Sequence, residues 1–335
     1  MRLDILYVSW LKISTRPEQI YKLSKELNYK TDWFYFKENY GNSIKTIPRF
    51  FKLIWLILKT KPKIIHAFNG PDVIIYPILM SKLFGTKLIW DYRATPLNDY
   101  KVNHPYNPFI YFLKFTKWIA EKSANKIVTP IKYFSEKYGY ELLPQIVDYD
   151  KSKIIVPKYI KGKNEKILFF AGTLCDIEGI EELLENFHRY KNKNYSLFVF
   201  GDGPLKQKVL DFANKDKRIK YFGWKSKNEL FGYLMLANLT ILSYKNEYPS
   251  TIATHTSLLK LGEYLYFGLP VVCPNFDNFE YLSNYGVDFY NFKFKFGLFD
   301  YISKTNIFKR TILPLDLNKK RIIVNYNKTI NFLLR

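Results

Sequence analysis

The amino-acid sequence predicts an α/β protein built from two doubly wound domains that face each other across a cleft. Short apolar runs alternate with longer amphipathic stretches, which is the pattern of parallel strands joined by helices. This alternation stops near residues 144–165, where proline, glycine and lysine are frequent, and then starts again. The length of 335 residues agrees with two domains, since one domain usually holds about 100–200 residues.

The first series of elements fills the amino-terminal half. Its four short apolar runs predict buried strands at residues 3–8, 64–67, 87–90 and 126–129. Amphipathic helices are predicted between them at residues 18–27, 47–58, 73–83 and 111–123. We therefore expect a first domain over residues 1–160.

The second series predicts a domain over residues 161–315. Its strands are predicted at residues 166–171, 195–201, 219–222, 239–243 and 270–273. Its helices are predicted at residues 179–191, 204–215, 227–237 and 257–267. Residues 316–335 are expected to form a terminal helix that packs back towards the first domain. Because ligands of such sheets bind at the carboxyl ends of the strands, the functional residues should lie there.

Composition excludes several classes of protein. The chain is 47% hydrophobic and 24% charged, which is typical of a packed globular protein and not of a disordered one. Two cysteines, Cys175 and Cys273, are too few for a disulfide framework and suit a reducing compartment. The four histidines share no close metal-ligand spacing, so no metal site is predicted. We expect no secretion signal, because residues 1–4 lead directly into a predicted strand, and the longest uncharged run, residues 230–244, is short for a membrane span. We expect a cytoplasmic protein.

The charge predicts an anionic partner. The chain holds 52 Lys and Arg against 30 Asp and Glu, a formal charge of +22. Residues 48–63 (PRFFKLIWLILKTKPK) and 108–117 (PFIYFLKFTK) combine aromatic and aliphatic side chains with lysine, which fits basic helices at an anionic membrane surface. The alternative interpretation is that both are core helices with solvated lysines. Nucleic acid is a weaker candidate partner, because the sequence shows no RNA-recognition signature, zinc finger or basic-zipper pattern.

Two glycine-containing loops of the second domain could bind an anion. In ILFFAGTLCDIEGI (residues 167–180) a buried strand ends at Gly172, and a helix begins near Gly179 with unpaired N–H donors that suit a diphosphate. The loop GDGP (residues 201–204) follows the next strand in the same way. Both loops could also be simple strand-to-helix turns.

The most informative stretch is TSLLKLGEYLYFGLPVV, residues 256–272. Thr256 or Ser257 can cap a helix on which Lys260 and Glu263, three residues apart, are neighbours. A carboxylate can accept hydrogen bonds from both hydroxyls of a ribose, and a nearby ammonium group can bind phosphate oxygens. A surface ion pair is the alternative interpretation of the same two residues.

These segments resemble the family 4 retaining glycosyltransferases, which have the GT-B fold of two Rossmann-like domains. The segments that carry the resemblance are PKIIHAFNGP (62–71), SANKIVTP (123–130), GTLCDIEGI (172–180), GDGP (201–204), YFGW (221–224) and SLLKLGEYLYFGLPVV (257–272). The resemblance implies transfer of a hexosyl group from a nucleotide-diphosphate sugar to a lipid-linked or polysaccharide acceptor, with retention of configuration. It also implies polysaccharide biosynthesis at the cytoplasmic face of a membrane, without a metal or cofactor.

The resemblance also implies the site residues. Glu263 would bind the donor ribose, and Lys260, as a catalytic residue, and Ser257 would face the donor phosphates or sugar. Further donor contacts are implied for Gly172, Thr173, Gly201, Phe222, Gly223 and Trp224. In the first domain, Asp91 and Arg93 would be the other catalytic residues, in contact with the acceptor or the leaving group. Arg16 and His66 would lie on the acceptor side.

Three residues depart from the family pattern. Thr173 and Glu178 occupy positions where the family usually has basic residues, and His255 occupies that of its first glutamate. A carboxylate beside a diphosphate is electrostatically unfavourable. Either a cation such as Lys260 or Arg93 neutralises the diphosphate, or Glu178 turns away. The alternative functions are a catalytically degenerate GT-B protein that binds a nucleotide or sugar, and a GT-B nucleotide-sugar epimerase.

Overall fold

Two units, each built on its own parallel sheet, make up the protein. The computed structural model describes residues 2–11, 15–37, 46–68, 75–92, 108–144, 149–245, 259–274, 287–290, 298–299, 302 and 319–334. Unit 1 comprises residues 1–146, 253–257 and 316–335, and unit 2 comprises residues 147–252 and 258–315. In the part of the chain that is described, no helix combines the length and apolar character needed to cross a membrane.

The sheet of unit 1 is parallel, with the strand order β2-β1-β3-β4-β5-β6 over the described residues. Its strands are β1 (Ile5–Leu11), β2 (Thr31–Lys37), β3 (Ile64–Phe68), β4 (Lys87–Asp91), β5 (Lys126–Thr129) and β6 (Glu141–Leu142). The four strands predicted from the sequence are confirmed. The apolar pattern did not predict β2, in which Phe34 and Phe36 are buried and alternate with more exposed residues.

Helices cover both faces of this sheet. They are α1 (Thr15–Glu26), α2 (Thr46–Thr60), α3 (Ile75–Phe84), α4 (Phe109–Ser123), α5 (Lys132–Tyr138) and α10 (Lys319–Leu334). Helices α2 to α5 pack in one core with Leu6 and Val8 of β1. Helices α1 and α10 pack in a second core with Ile5 and Tyr7. Successive residues of β1 thus point to opposite faces, as the doubly wound prediction requires.

The sheet of unit 2 is also parallel, with the order β12-β11-β10-β7-β8-β9 over the described residues. Its strands are β7 (Lys166–Ala171), β8 (Tyr195–Phe200), β9 (Ile219–Gly223), β10 (Leu239–Ile241), β11 (Val271–Pro274) and β12 (Val287–Tyr290). Five of these were predicted. The strands β7, β8 and β10 are buried almost throughout, which explains why their apolar runs were easy to recognise.

Four long helices of unit 2 are described. They are α6 (Ile180–Arg189), α7 (Lys206–Lys215), α8 (Lys227–Leu234) and α9 (Leu259–Tyr266). Helices α6 and α7 pack on one face of the sheet, and α8 and α9 pack on the other. A short 3-10 turn, Asp176–Glu178, precedes α6 and brings that segment of the chain to the carboxyl end of β7.

The division between the units falls earlier than the boundary predicted at residues 160/161. Tyr149, Ile154 and Tyr159 pack against the core of unit 2, and the Tyr159 ring contacts Phe198 edge to face. This lysine-rich segment therefore covers unit 2 and is not a free linker. At the other end of the chain, α10 belongs to unit 1 and contributes Tyr326 to its core.

Candidate functional site

A cavity of about 370 Å³ opens within unit 2 at the carboxyl ends of β7 and β8. Its walls come from the loops after these strands, the segment before α8, and the facing sides of α8 and α9. The lining residues are Phe169, Ala171, Gly172, Thr173, Glu178, Phe200, Gly201, Asp202, Trp224, Lys225, Lys227, Leu230, Phe231, Leu234, Lys260, Glu263 and Tyr264. This is the edge at which parallel sheets usually bind ligands.

Close backbone packing explains two of the predicted glycines. A Cβ atom on Gly201, whose φ is 131°, would lie 1.8 Å from the carbonyl oxygen of Gly172. A Cβ on Gly172 would lie 2.7 Å from Lys260 Nζ and 2.9 Å from Glu178 Oε2. Gly201 therefore lets the two loops touch, and Gly172 leaves room for charged side chains at the strand end.

Glu263 lies in the cavity wall and is almost completely buried. Its Oε1 accepts a hydrogen bond from the Tyr149 hydroxyl at 2.6 Å and one from Lys227 Nζ at 2.5 Å. Its side chain is 3% exposed, whereas that of Lys227 is 45% exposed. Glu263 is therefore an oriented carboxylate at the cavity wall, which is the property required to accept hydrogen bonds from a diol.

Lys260 lies one turn before Glu263 on the same helix. Its Nζ donates to both carboxylate oxygens of Glu178, at 2.7 and 2.8 Å. Burial by itself lowers the pKa of Lys260, but the neighbouring Tyr244 and Glu178 outweigh it, so the pKa lies above its ordinary value. Lys260 is therefore a permanently charged cation at the cavity wall.

Tyr264 brings an unpaired hydroxyl to the same wall. The residue is 2% exposed, and its hydroxyl oxygen is buried without a hydrogen-bond partner among the described residues. Burial raises the pKa of this hydroxyl, so it is protonated at neutral pH. Its ring packs edge to face on Phe169, which fixes its direction. A buried donor without a partner is costly, and a ligand oxygen would satisfy it.

The segment after β9 contributes Trp224 and two lysines. Trp224, which the resemblance implied as a donor contact, is 72% exposed and borders the cavity. Phe222 and Gly223, predicted as donor contacts, are not in the cavity wall. Phe222 stacks on Phe200 with ring centroids 4.9 Å apart, and Gly223 accepts a hydrogen bond from Gly201 N–H through its carbonyl. They support the wall from behind.

The lining or supporting residues that were not among the predicted site residues include Tyr149, Lys225, Lys227 and Tyr264. Lys225 and Lys227 flank the helix cap Ser226, which forms a capping box with Glu229. The sequence signal for them was a pair of cations directly after a predicted strand. For Tyr149 there was none, because it contacts Glu263 across 114 positions of the chain.

In unit 1, three predicted residues meet in a closed cluster. The Arg16 guanidinium forms an ion pair with Asp91, with Nε 2.9 Å and 3.0 Å from the two carboxylate oxygens. His66 Nε2 lies 3.6 Å from Asp91 Oδ2, and its Nδ1 lies 3.3 Å from the Tyr326 hydroxyl. The side chains of Arg16, His66 and Asp91 have no exposed surface.

The polar contacts of this cluster are mostly internal. Arg16 also donates to the carbonyl oxygens of Leu143 and Pro144, at 2.8 and 3.1 Å. Burial lowers the pKa of His66, and Asp91 offsets this only in part, so His66 is neutral at pH 7. Such a network holds elements of unit 1 together. The predicted residues Arg93 and Ser257, and also His255, lie outside the described residues.

Residues 165–292 match the family model described as Glycosyl transferases group 1. This segment contains all the residues that line the cavity. Over 95% of the chain, the sequence is 24% identical to an uncharacterized glycosyltransferase of Methanocaldococcus jannaschii, of which it covers 79%. The sequence similarity therefore extends over both units.

Solved structures share the architecture at low sequence identity. A glycosyltransferase from Rickettsia africae matches with a TM-score of 0.67 at 14% identity, with 100% of each chain covered. The Anabaena protein HepE, solved in complex with UDP and glucose, matches with a TM-score of 0.66 at 13% identity over 99% of each chain. The UDP-GlcNAc 2-epimerase of M. jannaschii matches with a TM-score of 0.63 at 9% identity, over 98% of this chain and 99% of that one. The protein has the GT-B fold.

Proposed function

We propose that the protein is a glycosyltransferase that binds a nucleotide-diphosphate sugar in the cavity of unit 2. One observation carries the proposal: Lys260, Glu263 and Tyr264, within two turns of one helix, line a single cavity at the carboxyl end of β7. A carboxylate for the ribose and a cation for the diphosphate are thus presented together. The match of residues 165–292 to the group 1 glycosyl transferases supports the same function.

The donor is proposed to lie along the cavity with its base at the exposed end. Trp224 offers an indole face for the base. Glu263, held by Tyr149 and Lys227, would accept hydrogen bonds from the ribose hydroxyls. The diphosphate would then lie near Gly172 and Lys260.

The reaction is proposed to be hexosyl transfer with retention of configuration. The bond between the sugar and the diphosphate breaks, and the acceptor oxygen bonds to the anomeric carbon from the same face. Its proton passes to the departing diphosphate. Lys260 stabilises the negative charge that grows on that leaving group. The proposed reaction requires neither a metal nor a cofactor. Chelation of metal ions with EDTA should therefore leave the rate of transfer unchanged.

The acceptor is proposed to bind unit 1, but not through the side chains of the buried cluster. Asp91 was predicted as a catalytic residue, and Arg16 and His66 as acceptor contacts. With no exposed surface, these side chains are better suited to positioning the strand ends and the loops that follow them. We assign them a positioning role.

A lipid-linked acceptor is favoured by the outer side of one helix layer of unit 1. Helices α2, α3 and α4 cover one face of the sheet, and α3 contacts both of the others. Large apolar side chains are exposed on this layer: Phe51, Trp55, Leu58, Leu79, Leu83, Phe84, Tyr111, Phe112, Phe115 and Trp118. So many exposed aromatic and aliphatic groups on neighbouring helices are unusual for a protein surrounded only by water.

The charges on this layer suit an anionic membrane. Exposed lysines alternate with the apolar groups, namely Lys52, Lys59, Lys82 and Lys114. The segments that form α2 and α3 contain neither Asp nor Glu. Basic and aromatic residues together favour binding at the interface of an anionic bilayer. We propose peripheral association with the cytoplasmic face of a membrane through this layer.

Flotation with liposomes tests the membrane proposal. The protein should float with vesicles of phosphatidylcholine and phosphatidylglycerol at low salt, and less at high salt. Replacing Trp55 and Trp118 with Ser should reduce flotation, whereas replacing the exposed Trp224 of unit 2 should not. Absence of binding to anionic vesicles at low salt would contradict it.

A donor screen tests the enzymatic proposal. The protein is incubated with UDP- and GDP-sugars and a membrane extract as acceptor, and release of the nucleoside diphosphate is measured. We expect release that depends on both donor and acceptor. Nucleotide binding without release would favour a catalytically degenerate binding protein. Conversion of the sugar nucleotide without an acceptor would favour an epimerase, an activity that the M. jannaschii structure makes worth testing.

A further inference from the structure

The charges that line the cavity of unit 2 are balanced before any ligand arrives. Among the lining residues are three lysines, Lys225, Lys227 and Lys260, and three acidic residues, Asp202, Glu178 and Glu263. Lys260 pairs with Glu178, and Lys227 pairs with Glu263. Over the described lining residues the charges thus cancel, so a ligand with two or three negative charges meets little net positive charge from them.

Glu178 is fixed at the phosphate end of the cavity. Its carbonyl oxygen accepts a hydrogen bond from Ser243 Oγ at 2.6 Å, which ties the backbone to the end of β10. The next residue, Gly179, has φ 61°, and a Cβ there would lie 1.9 Å from the Ser243 carbonyl oxygen. The backbone of Glu178 and Gly179 is therefore in close contact with Ser243, which holds the turn in place.

The carboxylate of Glu178 points towards Lys260 and the end of β7. It is 13% exposed and binds Lys260 Nζ with both oxygens. The sequence left open whether Glu178 turns away from the site, and in the structure it does not: it lines the cavity and pairs with Lys260. A phosphate group that reaches Lys260 must share it with Glu178 or displace that carboxylate.

This inference rests on the proposed function. We propose that Glu178 is a specificity-determining residue that weakens binding of the free nucleoside diphosphate more than binding of the sugar nucleotide. The diphosphate of a sugar nucleotide is a diester with two negative charges. The released diphosphate has a terminal phosphate with a second pKa near 6, so at neutral pH it has about one charge more. Repulsion by a fixed carboxylate grows with that charge. Glu178 thereby favours exchange of product for fresh donor.

Titration calorimetry with matched ligands tests the proposal. UDP and UDP-glucose, and in parallel GDP and GDP-mannose, are titrated into the wild type, Glu178→Gln and Glu181→Gln at pH 7.5. Glu178→Gln should bind the diphosphate about tenfold more tightly and the sugar nucleotide about threefold more tightly. Glu181, which pairs with Lys208 and is not in the cavity wall, supplies the same charge change elsewhere. Its variant should match the wild type.

The remaining outcomes distinguish failure of this inference from failure of the proposed function on which it rests. Glu178→Asp keeps the charge and should keep the wild-type ratio of the two affinities, which guards against a folding defect in the Gln variant. An equal gain for both ligands, or weaker binding by Glu178→Gln, would overturn the role of Glu178 while leaving the donor cavity intact. Binding of none of the four ligands by any variant would contradict the proposed function, and this inference with it.

Discussion

Two charged clusters, one in each unit, were both expected to be functional, but they differ in how far they are exposed. In unit 1 the Arg16–Asp91 pair is completely buried, and backbone carbonyls accept the remaining guanidinium hydrogen bonds. In unit 2 the Lys260–Glu178 pair lines a cavity, and the side chain of Lys260 is 26% exposed. The difference teaches that a charged residue at the carboxyl end of a parallel strand need not contact a ligand. Access to a cavity distinguishes the two clusters.

The largest effect is expected where the closed cluster is broken. Asp91→Asn leaves the Arg16 charge buried without a counter-charge, which typically costs about 3–5 kcal/mol. Urea unfolding should show this loss in the free energy of unfolding. Asp32→Asn, at an exposed position of β2, serves as the control and should change stability little. An Asp91 variant with wild-type stability but no turnover would instead restore its catalytic role.

The next largest effect concerns the Lys260–Glu178 pair, which lines the cavity of unit 2. Lys260→Ala removes the cation proposed to stabilise the leaving diphosphate, and turnover should fall at least about tenfold. Release of the nucleoside diphosphate in the donor assay measures it. Lys208→Ala, which removes a lysine paired with Glu181 outside the cavity, should retain the wild-type rate. A normal rate in the Lys260 variant would reject its assigned role.

Acid should affect unit 1 before unit 2. The pKa of His66 is lowered in the folded protein from its ordinary 6.5, so the unfolded chain binds the proton first as the pH falls. The contribution of His66 to stability is present above pH 6.5 and declines as the pH falls below it. Hydrogen exchange of the β3 amides should report this decline. It should disappear in His66→Gln and persist in His188→Gln, a change in unit 2.

In unit 2 the corresponding window lies at lower pH. Burial alone raises the pKa of Glu165, but hydrogen bonds from Ser196 and the Gly162 N–H hold it at about 2, against an ordinary value of 4.5. Its contribution to stability is therefore present above pH 4.5 and is lost as the pH falls towards 2. Exchange of the β7 amides should stay slow at pH 5.5. If the amides of β3 and β7 lost their protection from exchange together at pH 5.5, the predicted difference in acid sensitivity between the units would be wrong.

The smallest effect tests the unpaired hydroxyl. Tyr264→Phe removes a buried donor that has no partner among the described residues, so the melting temperature should stay equal or rise. Nucleotide binding should weaken about fivefold if that hydroxyl bonds to the ligand. Tyr266→Phe, on the same helix, loses a hydrogen bond to the Tyr149 carbonyl and should leave nucleotide affinity unchanged. Equal affinity in the Tyr264 variant would remove it from the site.

Much of the fold could be predicted from the sequence because most strands are buried on both faces. Strands such as β8, buried at all six positions, leave a continuous apolar run, and the long helices have an apolar stripe. The strands β2, β6 and β12 were missed. β2 alternates buried and more exposed aromatic residues, and β6 has only two residues. Short and edge strands depend on pairing with a neighbour, which local sequence does not record.

The site was predictable only where its residues share one helix. Lys260 and Glu263 were recognised by their spacing, and both line the cavity. The support for Glu263 from Tyr149 depends on how the chain folds back over unit 2, for which there was no sequence pattern. The burial of Asp91 likewise follows from its pairing with Arg16, 75 residues earlier in the chain. Long-range contacts, and not residue type, determined both outcomes.

A structure of the protein with a bound nucleoside diphosphate, solved with UDP or GDP at saturating concentration, tests the donor cavity most directly. We expect the ribose hydroxyls within hydrogen-bond distance of Glu263 and the phosphates beside Gly172 and Lys260. A nucleotide bound elsewhere, with Glu263 still bonded to Tyr149 and Lys227 and Lys260 still paired with Glu178, would contradict the assignment of this cavity.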